Sequence, residues 1–310
     1  MLYPVVKFRV LVMIIIASFE YEDVLSQDMK AGEMNIKHRF AVADIRMNKA
    51  MILSENNEVE WQYDINTPTD IQLLKNGNIL VAGINEVIEL NIKKDLIWKY
   101  SGNKDLFSAV STKKGNYLVG SSEEFKLIEL DKNHKQKRII NTATENKNGH
   151  MHSRHVRKFS DGTYWVALCI DGLINAYTKN GELLRSISVR KLSGKYGLSN
   201  FSRQQAYSIE ELPNGHILVS AGFPALVAEI DKNGNLIWGL SSNDVPKVNF
   251  IFSGGAKRLS NGNTLICNWT GHNFAGDYVP VFEVNMEKQV VWTFNDKQLL
   301  PEPLGIDIEE

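Results

Sequence analysis

Short apolar runs alternate with polar turns along most of the chain. In the stretch Gln205–Trp238, three such runs follow one another and a fourth begins, and an Asn-Gly turn at Asn214 separates the first two. Short runs bounded by Gly, Pro, Asn and Asp are typical of β-strands joined by tight turns. The pattern therefore predicts a unit of four consecutive antiparallel strands.

The four-strand pattern recurs, and its clearest marker is the turn between the first and second strands. Asn-Gly and Asp-Gly are favoured in two-residue hairpins because both central residues take positive φ. The turn ends in a glycine in five repeats, at Gly77, Gly115, Gly162, Gly215 and Gly262, and the residue before it is Asn or Asp in all but the second, which has Lys114. A four-strand repeat with a period of about 40–50 residues is the mark of a β-propeller blade. The sequence therefore predicts an all-β propeller.

The two ends of the chain decide the number of blades. Arg39–Ile65 has the pattern of a blade without its first strand, whereas Leu304–Ile308 is an extended run without a partner of its own. We infer that the C-terminal run supplies the missing innermost strand, which closes the ring and removes an exposed sheet edge. This gives six blades, or seven if Met29–Lys37 contains another strand. We expect the fourth-strand tryptophans to pack between blades, namely Trp61, Trp98, Trp238 and Trp292.

The N-terminus has the pattern of a secretory signal peptide. Two basic residues, Lys7 and Arg9, precede the apolar run Val10–Ala17. This run is too short for a comfortable membrane span, so we expect no stable span in the mature protein and a periplasmic or extracellular location. A retained N-terminal anchor is the alternative. The expected organisation is a signal peptide over 1–26, a linker over 27–38 and a propeller over 39–310.

Composition and motifs exclude several function classes. The formal net charge is −1 and charges of both signs are mixed, so nothing favours a nucleic-acid partner. No phosphate loop, dinucleotide fingerprint or Gly-x-Ser-x-Gly motif occurs, and we predict no cofactor and no metal. The two cysteines, Cys169 and Cys267, end second strands, in the third and last blades by this count. Those blades would face each other across the axis, too far apart for a disulfide.

Strand direction predicts where a ligand would bind. Residues just before first strands and just after second strands must meet at the end of the ring opposite the Asn-Gly turns, around the mouth of the central channel. These segments are rich in histidine, arginine and aromatic residues. Arginine binds carboxylate or sulfate bidentately, and neutral histidine accepts or donates a hydrogen bond. The candidate ligand-binding residues are His152, Arg154, His155, Arg203, Gln204, Asn268, Trp269 and His272.

Two interpretations of these residues stay open. They bind an anionic or sugar-like ligand over the channel, or they satisfy the backbone of the loops and order the mouth. Whether the protein is an enzyme is uncertain from the residues alone.

Two stretches, Ser153–Ala167 and Leu259–His272, resemble exported propellers of the PQQ-like and arylsulfotransferase-like type found in Bacteroidetes. The resemblance implies the fold and export. Arylsulfotransferases use a histidine nucleophile near the axis, a role that His155 or His272 could take.

We therefore expect a non-catalytic exported propeller that binds a small molecule, a glycan or a protein partner at the mouth. The alternative is an enzyme of the sulfotransferase, lyase or hydrolase type that uses mouth histidines and arginines. A quinoprotein dehydrogenase is a third hypothesis, disfavoured because such enzymes usually have eight blades.

Overall fold

Antiparallel β-strands make up nearly all of the regular structure. The computed structural model describes residues 36–102, 105–112, 114–198, 204–271 and 276–309. Within these residues, six sheets of four antiparallel strands form the blades of a β-propeller. The fold is all-β and six-bladed, as the repeat predicts. The signal peptide and the possible strand in Met29–Lys37 fall wholly or largely on residues 1–35, outside the described residues.

Each blade has four strands, ordered from the channel outward. The innermost strands are β4 (Asp70–Leu73), β8 (Ser108–Ser111), β12 (Ser153–Lys158), β16 (Ser208–Glu211), β20 (Ser253–Arg258) and β24 (Pro303–Ile308). The second strands are β1 (Phe40–Asp44), β5 (Ile79–Ala82), β9 (Tyr117–Ser121), β13 (Tyr164–Leu168), β17 (Ile217–Ser220) and β21 (Thr264–Asn268). The third strands are β2 (Lys49–Leu53), β6 (Glu86–Leu90), β10 (Lys126–Leu130), β14 (Leu173–Tyr177), β18 (Leu226–Ile230) and β22 (Val281–Val284).

The outermost strands are β3 (Val59–Asp64), β7 (Leu96–Ser101), β11 (Gln136–Asn141), β15 (Leu183–Ser188), β19 (Leu236–Ser241) and β23 (Val290–Phe294). Blade 1 contains β24 and β1–β3, and blades 2–6 follow in chain order. A short helix, α1 (Val189–Gly194), follows blade 4, and a 3₁₀ turn (Pro246–Val248) follows blade 5. None of the helices in the described residues is long and apolar enough to cross a membrane.

The C-terminal strand closes the ring. β24 pairs antiparallel with β1, so that Ile306 stands opposite Val42 and Ile308 opposite Phe40. Blade 1 is therefore built from both ends of the propeller, as the sequence predicts. Its inner edge is covered by a strand rather than left open to another chain.

The apolar core lies between the blades. Six clusters of buried side chains each join two neighbouring blades, including the pair formed by blades 6 and 1. The fourth-strand tryptophans pack in these clusters, as predicted. Trp98 of blade 2, for example, is 4% exposed and stacks on Tyr117 of blade 3, with ring centroids 3.8 Å apart. Stacking therefore buries the faces that a single blade leaves exposed.

Side chains also join the innermost strands to one another. In five of the six junctions, a side chain of one innermost strand bonds to the backbone of the next. The pairs are Asp307 with the Leu73 amide (2.7 Å), Gln72 with the Ser111 amide (3.4 Å), Ser108 with the Val156 amide (3.1 Å), His155 with the Ile209 backbone (3.0 Å) and Ser208 with the Gly254 carbonyl (3.2 Å). At the sixth junction, a Cβ atom on Gly254 would lie 2.9 Å from the Leu304 carbonyl, so glycine permits the close approach. These hydrogen bonds satisfy backbone N–H and C=O groups at the inner edges of the blades, where no further strand pairs with them.

The two cysteines are buried free thiols. Cys169 follows β13 in blade 4 and Cys267 belongs to β21 in blade 6. The expectation that their blades face each other across the axis is wrong. The sequence count assigned Cys169 to the third blade because it left out the incomplete blade at the N-terminus.

Candidate functional site

An aromatic cluster lies where the sequence places the mouth of the channel. Its members flank first and second strands, as the topology predicts, except for Leu304, which belongs to β24. We call this set the mouth cluster: Ile45, Tyr207, Phe223, Phe252, Trp269 and Leu304. The rings of Tyr207, Phe223 and Trp269 each meet Phe252 edge to face, with centroids 4.8–4.9 Å apart. This geometry is favourable for aromatic pairs and fixes the rings in place.

Arg154 is one source of positive charge at this end. Its guanidinium carbon lies 4.1 Å from the centre of the Phe107 ring, and Nη1 donates to the His150 carbonyl at 2.6 Å. The side chain of His150 in turn lies 2.8 Å from the Asp105 carboxylate. A guanidinium carries five N–H donors, so these contacts leave donors available to a ligand.

A buried polar atom beside the mouth cluster lacks a partner among the described residues. Gln205 is 6% exposed, and its Oε1 atom is buried without a hydrogen bond. The Gln205 amide nitrogen donates to the Phe223 carbonyl at 2.7 Å, which fixes the residue next to the cluster. Nearby Tyr207 is buried, and burial raises the pKa of its hydroxyl, so the group stays protonated and can donate. A buried polar atom without a partner requires an explanation such as a water or a ligand.

Below the mouth, a ring of ionic groups fills the channel. Asp70 of blade 2 accepts two bonds from the Arg157 guanidinium of blade 4, at 2.9 and 3.1 Å. The Ser108 hydroxyl donates to the same carboxylate at 2.5 Å, and His155 Nε2 lies 3.2 Å from it. Burial raises the pKa of Asp70, but Arg157 and His155 together hold it well below its usual range. Asp70 is therefore ionised at neutral pH.

The other half of the ring comes from blades 5, 6 and 1. Lys257 lies 3.0 Å from both the Glu210 and the Asp307 carboxylates. Burial lowers the pKa of Lys257, but the two carboxylates raise it by more, so the ammonium stays charged. The pKa of His155 is lowered by burial and by Arg157, which favours the neutral ring. We call the seven residues the channel network: Asp70, Ser108, His155, Arg157, Glu210, Lys257 and Asp307.

The channel network leaves little open space. The cavity between its two halves measures about 20 Å³, room for about one water molecule. Three carboxylates face two permanent cations in the network, so an anion would meet net negative charge. A ligand larger than water would therefore be held at the mouth and not inside the channel.

His152 and Asn268 lie inside the loops. His152 has no exposed surface, its Nε2 atom lies 3.1 Å from the Thr142 hydroxyl, and burial lowers its pKa. The Asn268 side chain accepts from the Ile251 amide at 2.9 Å and donates to two loop carbonyls at 3.0 Å. Both side chains therefore order loops around the mouth.

The other predicted residues divide between the mouth, the channel and the loops. Arg154 and the half-buried Trp269 lie at the mouth. His155 belongs to the channel network, deeper than the sequence suggests. Gln204 is buried and donates to the Leu198 carbonyl at 3.0 Å. Arg203 and His272 lie outside the described residues. A ligand-binding role stays a prediction for all eight.

No role for the charged residues of the channel network was predicted from the sequence. The available signal was charge within the innermost strands, as in the segments SRHVRK, SIEE and SGGAKR. Charged groups on strands closest to the axis must find partners across it, because buried charges are paired. Across the described part of the chain, His, Cys, Asp and Glu do not gather in groups of three able to hold a metal ion.

Comparison with known proteins shows the fold. No protein-family model matches the sequence, and no curated protein matches it significantly. A solved protein of unknown function from Bacteroides caccae superposes with a TM-score of 0.77 at 22% identity, covering 89% of this chain and 100% of that one.

Lyase structures are more distant. A virginiamycin B lyase from Staphylococcus aureus gives a TM-score of 0.60 at 10% identity, covering 89% of this chain and 90% of that one. A streptogramin B lyase gives 0.60 at 11% identity, covering 88% and 89%. The resemblance to the PQQ-like or arylsulfotransferase-like type stays a prediction. At these identities, the likenesses establish that the chain has the six-bladed β-propeller fold.

Proposed function

We propose that this protein is a non-catalytic propeller that binds an anionic or sugar-like ligand, such as a glycan fragment, over the mouth of the channel. The observation that carries the proposal is the buried Oε1 atom of Gln205, which lies beside the mouth cluster and has no hydrogen-bond partner among the described residues. A ligand hydroxyl that donates to this atom would remove the cost of leaving it unpaired. The Tyr207 hydroxyl lies two residues further along and offers a second polar contact.

The surroundings fit such a ligand. Half-buried Trp269 and Phe223 present aromatic surface to the apolar side of a sugar ring, and Arg154 can pair with a carboxylate or sulfate group. Binding sites commonly combine an apolar wall with a few placed polar groups. The channel network below acts as a closed floor.

A binding role agrees with the state of the histidine nearest the axis. Both ring nitrogens of His155 are within hydrogen-bond distance of protein groups: Nδ1 of the Ile209 backbone, and Nε2 of Asp70 and Arg157. A general base needs a ring nitrogen free to reach the substrate. The basic and apolar N-terminal segment supports export, so the ligand would be met in the periplasm or outside the cell.

Fluorescence tests the proposal, because Trp269 lies in the proposed site. Neutral, carboxylated and sulfated disaccharides are titrated into the protein while tryptophan emission is recorded. We expect a saturable change that Trp269→Phe removes and Trp292→Phe, in blade 6, retains. Arg154→Ala should weaken binding of the charged sugars about tenfold, whereas Arg39→Ala, at the opposite end of the ring, should not. If no disaccharide changes the emission, the proposal is wrong.

An enzyme of the lyase type is the second candidate, favoured by the fold likeness to the lyases. One of those structures is a catalytically inactive variant of the virginiamycin B lyase from Staphylococcus aureus with quinupristin. Incubation of this protein with quinupristin, followed by mass spectrometry, separates the two candidates. Conversion of quinupristin would replace the binding proposal by a catalytic one.

A further inference from the structure

A second cavity lies on the outside of the ring, between blades 4 and 5. Its volume is about 250 Å³. The lining comes from the end of β15, from α1 and from the turn between β18 and β19, and consists of Ser186, Ile187, Ser188, Lys191, Leu192, Lys195, Asn233 and Gly234. We call this cavity the rim pocket. It shares no residue with the mouth cluster or the channel network.

Positive charge distinguishes the rim pocket. Lys191 and Lys195 are one helical turn apart, and Lys195 keeps a right-handed helical backbone (φ −66°, ψ −17°), so both ammonium groups leave the same face. Among the described residues, no carboxylate lines the pocket. The surrounding sequence is also one-sided, since Leu183–Ile209 contains five basic residues and no acidic one. The rim pocket therefore favours an anion.

The walls of the rim pocket are fixed by packing. Val189 and Leu192 of α1 belong to the buried core between blades 4 and 5, and Tyr196 packs against the same core. A Cβ atom on Gly239 would lie 2.3 Å from the Tyr196 hydroxyl, so this glycine makes room for the ring. The connection that carries α1, from β15 to β16, is the longest between any two blades. Long connections on a rigid scaffold frequently carry function.

The uncharged groups narrow the ligand class. Two serine residues and Asn233 supply donors and acceptors for hydroxyl groups, and Ile187 and Leu192 supply an apolar wall. The volume suits one sugar ring better than a drug-sized ligand, which needs about 300–1,000 Å³. We propose that the rim pocket binds an acidic sugar unit, with its sulfate or carboxylate on Lys191 and Lys195.

Calorimetric titration tests the proposal with four probes: a monosulfated disaccharide, an unsulfated uronate disaccharide, a neutral disaccharide and sodium sulfate. We expect the two acidic disaccharides to bind, the neutral one to fail, and inorganic sulfate to compete weakly. Lys191→Ala/Lys195→Ala should weaken binding at least tenfold, about the loss of 1.4 kcal/mol. Added salt should weaken binding to the wild type because the charges are exposed.

A matched control is Lys132→Ala/Lys135→Ala, which removes the same charge from an exposed turn of blade 3 and should leave affinity unchanged. Arg154→Ala separates the two sites, since it should weaken only the component that Trp269 fluorescence detects. Equal affinities of the two double-lysine variants, each folded by circular dichroism, would overturn the rim-pocket proposal. Equal binding of phosphorylated peptides would also overturn its restriction to sugars.

Discussion

At the scale of single residues, the channel shows how buried charge is tolerated. Asp70 has almost no contact with solvent, yet Arg157, Ser108 and His155 all bond or pair with its carboxylate. Removal of an ion from water costs several kcal/mol, and only close partners of opposite charge offset that cost. The loss of one partner should therefore cost more folding stability than the intact pair contributes.

Asp70→Asn should destabilise the protein by about 3–5 kcal/mol, because the Arg157 guanidinium would remain in the channel without its counter-charge. Urea unfolding followed by circular dichroism measures the loss. Asp64→Asn, whose side chain is 85% exposed on the outermost strand of blade 1, is the control and should change the free energy of unfolding by less than about 0.5 kcal/mol. Similar values for both variants would mean that the channel network does not stabilise the ring.

At the scale of the strand, a buried glutamate recurs in the third strands of four blades: Glu89, Glu129, Glu229 and Glu283. Each accepts a hydrogen bond from an asparagine near the turn of its own blade. Three of them also contact a side chain from the next blade, namely Tyr117, Tyr164 with Lys158, or Arg258, and Glu283 contacts His38 just before β1 of blade 1. The repeated glutamate therefore adds a hydrogen bond or ion pair to the apolar contact between neighbouring blades.

Glu129 makes this bond dependent on pH. Burial raises its pKa, but Asn116, Lys158 and Tyr164 lower it to about 2, against an ordinary value of 4.5. A folded pKa below the unfolded one stabilises the protein above about pH 4.5, and this stabilisation is lost as the pH falls towards 2.

Glu129→Gln should therefore cost on the order of 2–3 kcal/mol at pH 7, and the difference from wild type should shrink as the pH falls from about 4.5 to about 2. Urea unfolding at a series of pH values measures both. Glu55→Gln, an exposed residue of blade 1, should show no such convergence. A constant difference across the pH range would contradict the assignment.

At the scale of the whole molecule, one strand joins the first blade to the last. β24 pairs with β1, and its Ile306 packs in the core between blades 6 and 1. The carboxylate of Asp44, at the end of β1, accepts the Glu302 amide just before β24 at 2.8 Å. Burial raises the pKa of Asp44 to about 6.

A chain truncated before Pro303 should lose cooperative unfolding or self-associate, because it exposes the edge of β1 and removes Ile306 from the core between blades 6 and 1. Thermal unfolding and size-exclusion chromatography measure the two outcomes. Removal of only Glu309 and Glu310 is the control and should leave the melting temperature unchanged. A monomeric truncated chain with the wild-type melting temperature would show that closure is dispensable.

Local pattern was enough to predict the fold. Turn glycines such as Gly77 and Gly262 adopt positive φ, 82° and 90°, but the asparagine before each does not, so the expectation of two positive-φ residues in each turn is wrong. A four-strand unit with two apolar faces can bury those faces only by stacking. The incomplete blade near the N-terminus and the unpaired strand at the C-terminus together predicted how the ring closes. These conclusions depend on neighbours in sequence and on repetition, which a single chain displays.

Only the tertiary structure decided which polar side chains face one another. His155 and Asp70 are far apart in sequence yet lie 3.2 Å apart across the channel, and His152 turns into its own loop although it is only three residues from His155. Side-chain direction and partner depend on how separate blades converge on the axis. The repeat therefore predicts the ring and its mouth. The channel network, the rim pocket and the Gln205 oxygen, which has no partner among the described residues, arise from contacts between blades that no single repeat contains.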